Sequence, residues 1–191
     1  MPSLSLTDWR TTRKAVLDEI EWARRRIGRP RPGRTYATHQ INQAYAVLLA
    51  AHFQGYCREL HSECSGHFVQ VIPRDSIKVA CRNNLVRDRK LDRGNANAGA
   101  IGDDFNRFGL TFWSEVQILN PQNLAWQNRL EELNRMRNEI AHQDYKDAKL
   151  ETVTLRFKVV RDYRRACDQL AAAFDEVMRQ HLESVVGTVP W

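Results

Sequence analysis

The sequence predicts an all-α protein, an up-and-down bundle of about five to six helices. Three observations carry that prediction: apolar residues recur at steps of three and four, clusters of Gly, Pro, Asn and Asp separate those stretches, and the one alternating run, Val153, Leu155 and Phe157, has no partner strand. At 191 residues the chain is long enough for one full core, and a single domain over 1–191 is expected. Its 42% hydrophobic and 27% charged residues are those of a folded globular protein and exclude wholesale disorder.

Each element can be justified in order. Thr7 can cap a first helix, Asp8 suits its opening turn, and Trp9, Val16, Ile20, Ala23 and Ile27 recur at helical spacing until Gly28 ends it. Arg24 to Arg34, RRRIGRPRPGR, interleaves arginine with proline and glycine and reads mostly as an exposed connector. A long core helix follows, roughly Ala37 to His67, with Ile41, Tyr45, Leu48, Leu49, His52, Tyr56 and Leu60 on its stripe. A third helix is expected from Asp75 to Lys90, then a loop, RGNANAGAIGDD, and a short helix from Asp104 to Gln117. Asn120-Pro121 opens a helix through Leu124, Leu130 and Leu133 to about Ala141, and a last helix runs from about Leu155 to Val185.

The formal charge of +6, from 29 Lys plus Arg against 23 Asp plus Glu, favours a polyanionic partner, nucleic acid first. The opening residues lack a secretory pattern, and the most apolar run, Ala44 to Tyr56, is too short for a membrane span, so a cytoplasmic protein with no membrane partner is expected. Cys57, Cys64, Cys81 and Cys167 form no CxxC pair and imply no disulfide framework. Cys57, His61, Cys64 and His67 have the right chemistry for zinc. On one helix, however, the first and last lie roughly 15 Å apart, and a buried stripe is the better reading. No cofactor or metal is expected.

The unusual stretch is EELNRMRNEIAHQDY, Glu131 to Tyr145. The apolar line through Trp126, Leu130 and Leu133 continues to Arg137 and Ile140, which puts a guanidinium where a core residue belongs. Such a group must either pair with a carboxylate, such as Asp104 or Glu115, or face a cleft or subunit interface where an anion binds. Asn138 and His142 share a face at i, i+4, so the amide can orient the imidazole. A base that titrates near neutrality, a neutral orienter and a fixed cation suit cleavage of RNA, whose 2′-OH is its own nucleophile.

RNEIAH, Arg137 to His142, resembles the R-x4-6-H motif of the HEPN superfamily, in which a polar residue, often Asn, follows the arginine. Arg34 to His39 and Arg135 to His142 satisfy the bare spacing too. The context adds weight: an aromatic-rich helix AYAVLLAAHFQGYCREL, the segment NRFGL, and a helix ending in RNEIAH followed by one long helix are together most similar to stand-alone RiboL-PSP and MAE-type HEPN proteins. The resemblance implies a helical domain that dimerises through the motif-bearing face. It implies metal-independent cleavage of RNA to a 2′,3′-cyclic phosphate, with Arg137, His142 and Asn138 as site residues, and a toxin or antiphage role with a cognate antitoxin or defence partner. The alternative is a non-catalytic HEPN scaffold or a nucleotide- or RNA-binding module. Relatives silenced by nucleotide addition carry R-x4-H-x-Y; here Tyr145 is three residues after His142, which sets this chain apart from them.

Overall fold

In a computed structural model of the chain, residues 1–26, 34–141 and 155–191 are described, and every regular element among them is helical. α1 (Leu4–Asp8) passes through a π-helical turn, Trp9–Arg13, into α2 (Lys14–Arg26). Next come α3 (Arg34–Gln70), α4 (Asp75–Val86), α5 (Lys90–Arg93) and α6 (Ala98–Phe105). A 3-10 turn, Asn106–Phe108, leads to α7 (Phe112–Leu119), and α8 (Asn123–Ala141) and α9 (Phe157–Val186) complete the order.

α3 and α9 form the centre and run parallel. Tyr45 meets Phe157 at 6.4 Å, the Tyr56 hydroxyl donates to the Ala171 carbonyl at 2.7 Å, and His67 lies against Trp191 at 5.6 Å, so both chains advance together. α8 runs back along them. Phe112 and Trp113 of α7, which leads into α8, pack on Phe174 at 4.9 and 5.3 Å, whereas charges from Arg129 to Glu139 act on Tyr163, nearer the start of α9. Aromatic rings fill the middle: Phe53, Phe105, Phe112 and Phe174 are fully buried and Trp9 nearly so, in pairs each worth about 1 kcal/mol beyond their burial.

α2 is riveted to this pair by a buried polar cluster. Arg164 of α9 places one amino group on Glu21 at 3.0 Å and the other on Asp18 at 2.7 Å, and the Tyr45 hydroxyl donates to Glu21 at 2.7 Å. Nearby, Arg24 donates to Asn42 at 3.1 Å and covers the Phe157 ring at 5.3 Å, while Asn42 donates to the Leu155 carbonyl at 2.7 Å. The end of α2, the early turns of α3 and the start of α9 therefore meet at one end of the bundle.

The bundle is built from more and shorter segments than five to six helices. Ser3, not Thr7, caps the first helix, its hydroxyl accepting from the Leu6 amide at 3.0 Å, because the buried Leu6 extends the apolar stripe upstream. Arg24 to Arg26 are helical and Arg34 opens α3, so less of that stretch is connector than its prolines suggest; 27–33 lie outside the described residues. AGAIGDD is helix, not loop, because Asn97 caps it through the Ala100 amide (2.8 Å) and Ile101 and Phe105 bury completely. The helix expected over Asp104 to Gln117 is broken at Gly109, whose φ of 87° only glycine adopts cheaply. Leu155 is buried outside any strand, and α9 begins at Phe157.

Candidate functional site

α8 enters at the turn the sequence marks: the Asn120 side chain accepts from the Gln122 amide at 2.9 Å, and the helix begins at Asn123. Leu130 and Leu133 are buried against α3 and α9, with Trp126, Met136 and Ile140 packed around them. Arg137 is the next residue on that stripe and is half-buried.

Its partner is neutral. Arg137 Nη1 donates to the Asn138 side-chain oxygen at 3.2 Å, and Asn95 Nδ2 donates to the same oxygen at 2.6 Å. Two donors on one oxygen fix which way the Asn138 amide is turned, since its nitrogen could accept from neither. Among the described residues no carboxylate forms an ion pair with Arg137. Asp104 accepts the amides of Lys90 (3.0 Å) and Leu91 (2.9 Å) and pairs with Arg107 at 3.4 Å. Glu115 forms no pair with Arg137 either, and Glu139 faces Arg135 at 4.0 Å. His142 and Tyr145 lie outside the described residues, so the structure describes Arg137 and Asn138 of the expected site.

Asn95 belongs to a loop clamped from two sides. Gln54 of α3 donates to the Leu91 and Gly94 carbonyls at 2.7 and 2.5 Å. From α8, Asn134 donates to the Ala96 carbonyl at 3.0 Å and Glu131 accepts the Ala98 amide. Glu131, Asn134 and Asn138 stand at i, i+3 and i+7, one face of α8. Sequence reasoning missed this partnership of Asn95 with the motif. The available signal was three polar residues at helical spacing beside the apolar stripe, a polar face that needs hydrogen-bond partners.

The zinc-like stripe is structural. Cys57 and Cys64 are fully buried, and burial pushes both thiols far up. His61 is also buried: its Nε2 lies 3.1 Å from the Asp104 carbonyl and its Nδ1 3.4 Å from Arg89 Nη1. Burial first, then the Arg89 charge, lower its pKa to about 4, so the ring is neutral, donating through Nε2 and accepting at Nδ1. Among the described residues no group of three or more His, Cys, Asp or Glu is placed to hold a metal ion, and no helix is long and apolar enough to cross a membrane.

What the described geometry offers is a cation, locked in direction by a carboxamide and left without an internal counter-charge among the described residues. Such a group can take an anion, a phosphate above all, at no cost of breaking an ion pair. No curated protein and no solved structure matches the chain. A family model does, that of RiboL-PSP-HEPN, over residues 28–180, which include the whole of α3 to α8 and most of α9. The chain belongs to the RiboL-PSP-HEPN family.

Proposed function

We propose that this protein is a metal-independent endoribonuclease acting as a homodimer. The observation that supports the reading is Arg137: a half-buried arginine on the apolar face of α8, anchored by the Asn138 oxygen and carrying no carboxylate among the described residues. A guanidinium kept for structure alone would be expected to resemble Arg164, with acids on both amino groups.

In the proposed reaction His142 takes the proton of the 2′-OH, the 2′-oxygen attacks phosphorus, and the bond to the 5′-oxygen breaks. A second imidazole returns a proton to that leaving oxygen, giving a 2′,3′-cyclic phosphate and a free 5′-OH. Arg137 clamps the phosphate and the charge that grows on it. Asn138, its oxygen held between Asn95 and Arg137, aims the guanidinium at that phosphate. One chain supplies one such imidazole and one such cation; a two-fold axis that sets α8 against α8 supplies the acid, the base and both guanidiniums in one cleft.

Labelled tRNA and mRNA incubated with the purified protein in EDTA should be cut to cyclic-phosphate ends. Binding without cutting would favour a scaffold or binding module instead. His142→Ala subunits exchanged in excess into active dimers should depress turnover beyond dilution, and full activity from a demonstrated monomer would end the composite-site model. On this reading the chain is also an effector of toxin or antiphage type, kept in check by a cognate partner; growth arrest on induction, abolished by Arg137→Ala, tests that role.

A further inference from the structure

Outside the motif, the most unusual surface is at the end of α2. Trp22 is 57% exposed, a large aromatic area left in water, whereas the other aromatic rings whose burial is described are buried or partly buried. The Arg26 guanidinium lies over the ring, 4.1 Å from its centroid, so the aromatic face and a cation sit together. Beside it, Arg25 and Arg161 both turn towards the same Glu21 oxygen, at 3.2 and 3.9 Å, which joins the exposed edge of α2 to that of α9. Lys158, Arg161 and Arg165 are exposed at i, i+3 and i+7, a basic ridge along one face of α9. The two carboxylates beneath, Asp18 and Glu21, are already engaged by Arg164. Over 18–26 and 158–168 the other acids are Glu19, Asp162 and Asp168, against five exposed cations: Arg25, Arg26, Lys158, Arg161 and Arg165.

The geometry points to a docking surface for single-stranded RNA, with an unpaired base stacked on the Trp22 and Arg26 planes and the adjoining phosphates on Arg25, Arg161 and Arg165. An exposed aromatic plane flanked by guanidiniums is what unpaired nucleotides recognise, because every base has a flat face and every linkage a charge. A duplex hides its base faces and gains only from the cations. The surface occupies the end of the bundle where Arg24, Asn42 and Phe157 meet and where antiparallel α8 finishes, so a strand held there has one end near the motif level. The inference rests on the reading of RNA as substrate, but binding does not require cleavage.

Fluorescent oligouridine carrying 2′-O-methyl groups, which cannot be cut by 2′-OH attack, separates the two. Trp22→Ala should weaken its binding by roughly 5-fold or more, the loss of one stacked base, and Trp22→Phe should restore most of it. Arg161→Gln with Arg165→Gln should lower the salt dependence of binding by about 1.4 in slope, two single-strand phosphate contacts. A blunt RNA hairpin should compete poorly. Unchanged affinity in Trp22→Ala overturns the surface, as does a change of oligomeric state with unchanged RNA affinity, which would make the face a contact between copies of this chain. Trp22-dependent binding in a protein that cuts no RNA would leave the surface standing and remove the nuclease reading; Arg137-dependent cutting with binding indifferent to Trp22 would do the reverse.

Discussion

Arg164 and Arg137 sit on neighbouring helices and are treated in opposite ways. Arg164 is buried with Asp18 on one amino group and Glu21 on the other, and the Tyr45 hydroxyl at 3.1 Å completes its shell; those partners raise its already high pKa against the desolvation that opposes them. Arg137 is half-buried and receives one carboxamide oxygen. The first arrangement spends the charge internally to join α2 to α9. The second fixes a direction and leaves the charge without a counter-charge among the described residues, which is the difference expected between an arginine that holds a fold and the ligand-binding one proposed here.

Substitution should separate the two most sharply. Arg137→Ala is expected to lower RNA cleavage by about 10³-fold, near 4 kcal/mol of transition-state stabilisation, with unfolding by denaturant unchanged, since no ion pair is lost. Arg164→Ala should instead cost about 3 kcal/mol of stability, because Glu21 would remain buried with the Tyr45 hydroxyl and, as cations, only Arg25 and the distant Arg161 to face it. Paired cleavage and denaturation measurements decide the matter, and an Arg137→Ala protein that unfolds would make the two arginines alike.

The same contrast applies to histidines. His61 is neutral in the fold with a pKa of about 4, below the 6.5 of an unfolded imidazole, so the unfolded chain binds the proton more readily. Its contribution to stability is complete above pH 6.5 and is lost as the pH falls towards 4, by up to about 3 kcal/mol. Asp168 and Asp175, whose carboxyl pKa values burial raises, act in the opposite sense, so the comparison is with His61→Gln, whose denaturation midpoint should fall less over that range. Cleavage should be the same in both proteins wherever both are folded.

The parts of the molecule that the sequence made legible are those governed by local periodicity. The stripe of α3 through Tyr45, Leu49, Tyr56 and Leu60 is buried as its spacing requires, and Asn120-Pro121 opens α8. The parts that were not legible depend on partners far along the chain. Glu21 and Arg164 are 143 residues apart, and neither residue's own helix signals the pairing. AGAIGDD looks like a loop from its glycines and acids; it becomes a helix because Ile101 and Phe105 find a core and Asp104 accepts the amides of Lys90 and Leu91. For the site, helical spacing set Arg137 on the apolar face and suggested an anion, but the Asn95 contact crosses 43 residues and arises only when the loop closes on α8.

That contact gives the mildest and most discriminating test. Asn95→Ala removes one of two donors to the Asn138 oxygen, while Gln54, Asn134 and Glu131 still hold the loop, so stability should change by less than about 1 kcal/mol. If Asn95 positions Arg137 through Asn138, kcat should fall about 10-fold with KM little altered, and Asn138→Ala should add little to the loss in the double variant, as expected of two residues acting through one path. Asn95→Asp should be worse than Ala. A carboxylate at 95 would draw the Asn138 Nδ2 towards itself, turn the oxygen away from Arg137, and offer the guanidinium the counter-charge it now lacks. Equal activity of the Ala and Asp variants, or a loss confined to the melting temperature, would reduce Asn95 to a loop residue and leave Arg137 held by Asn138 alone.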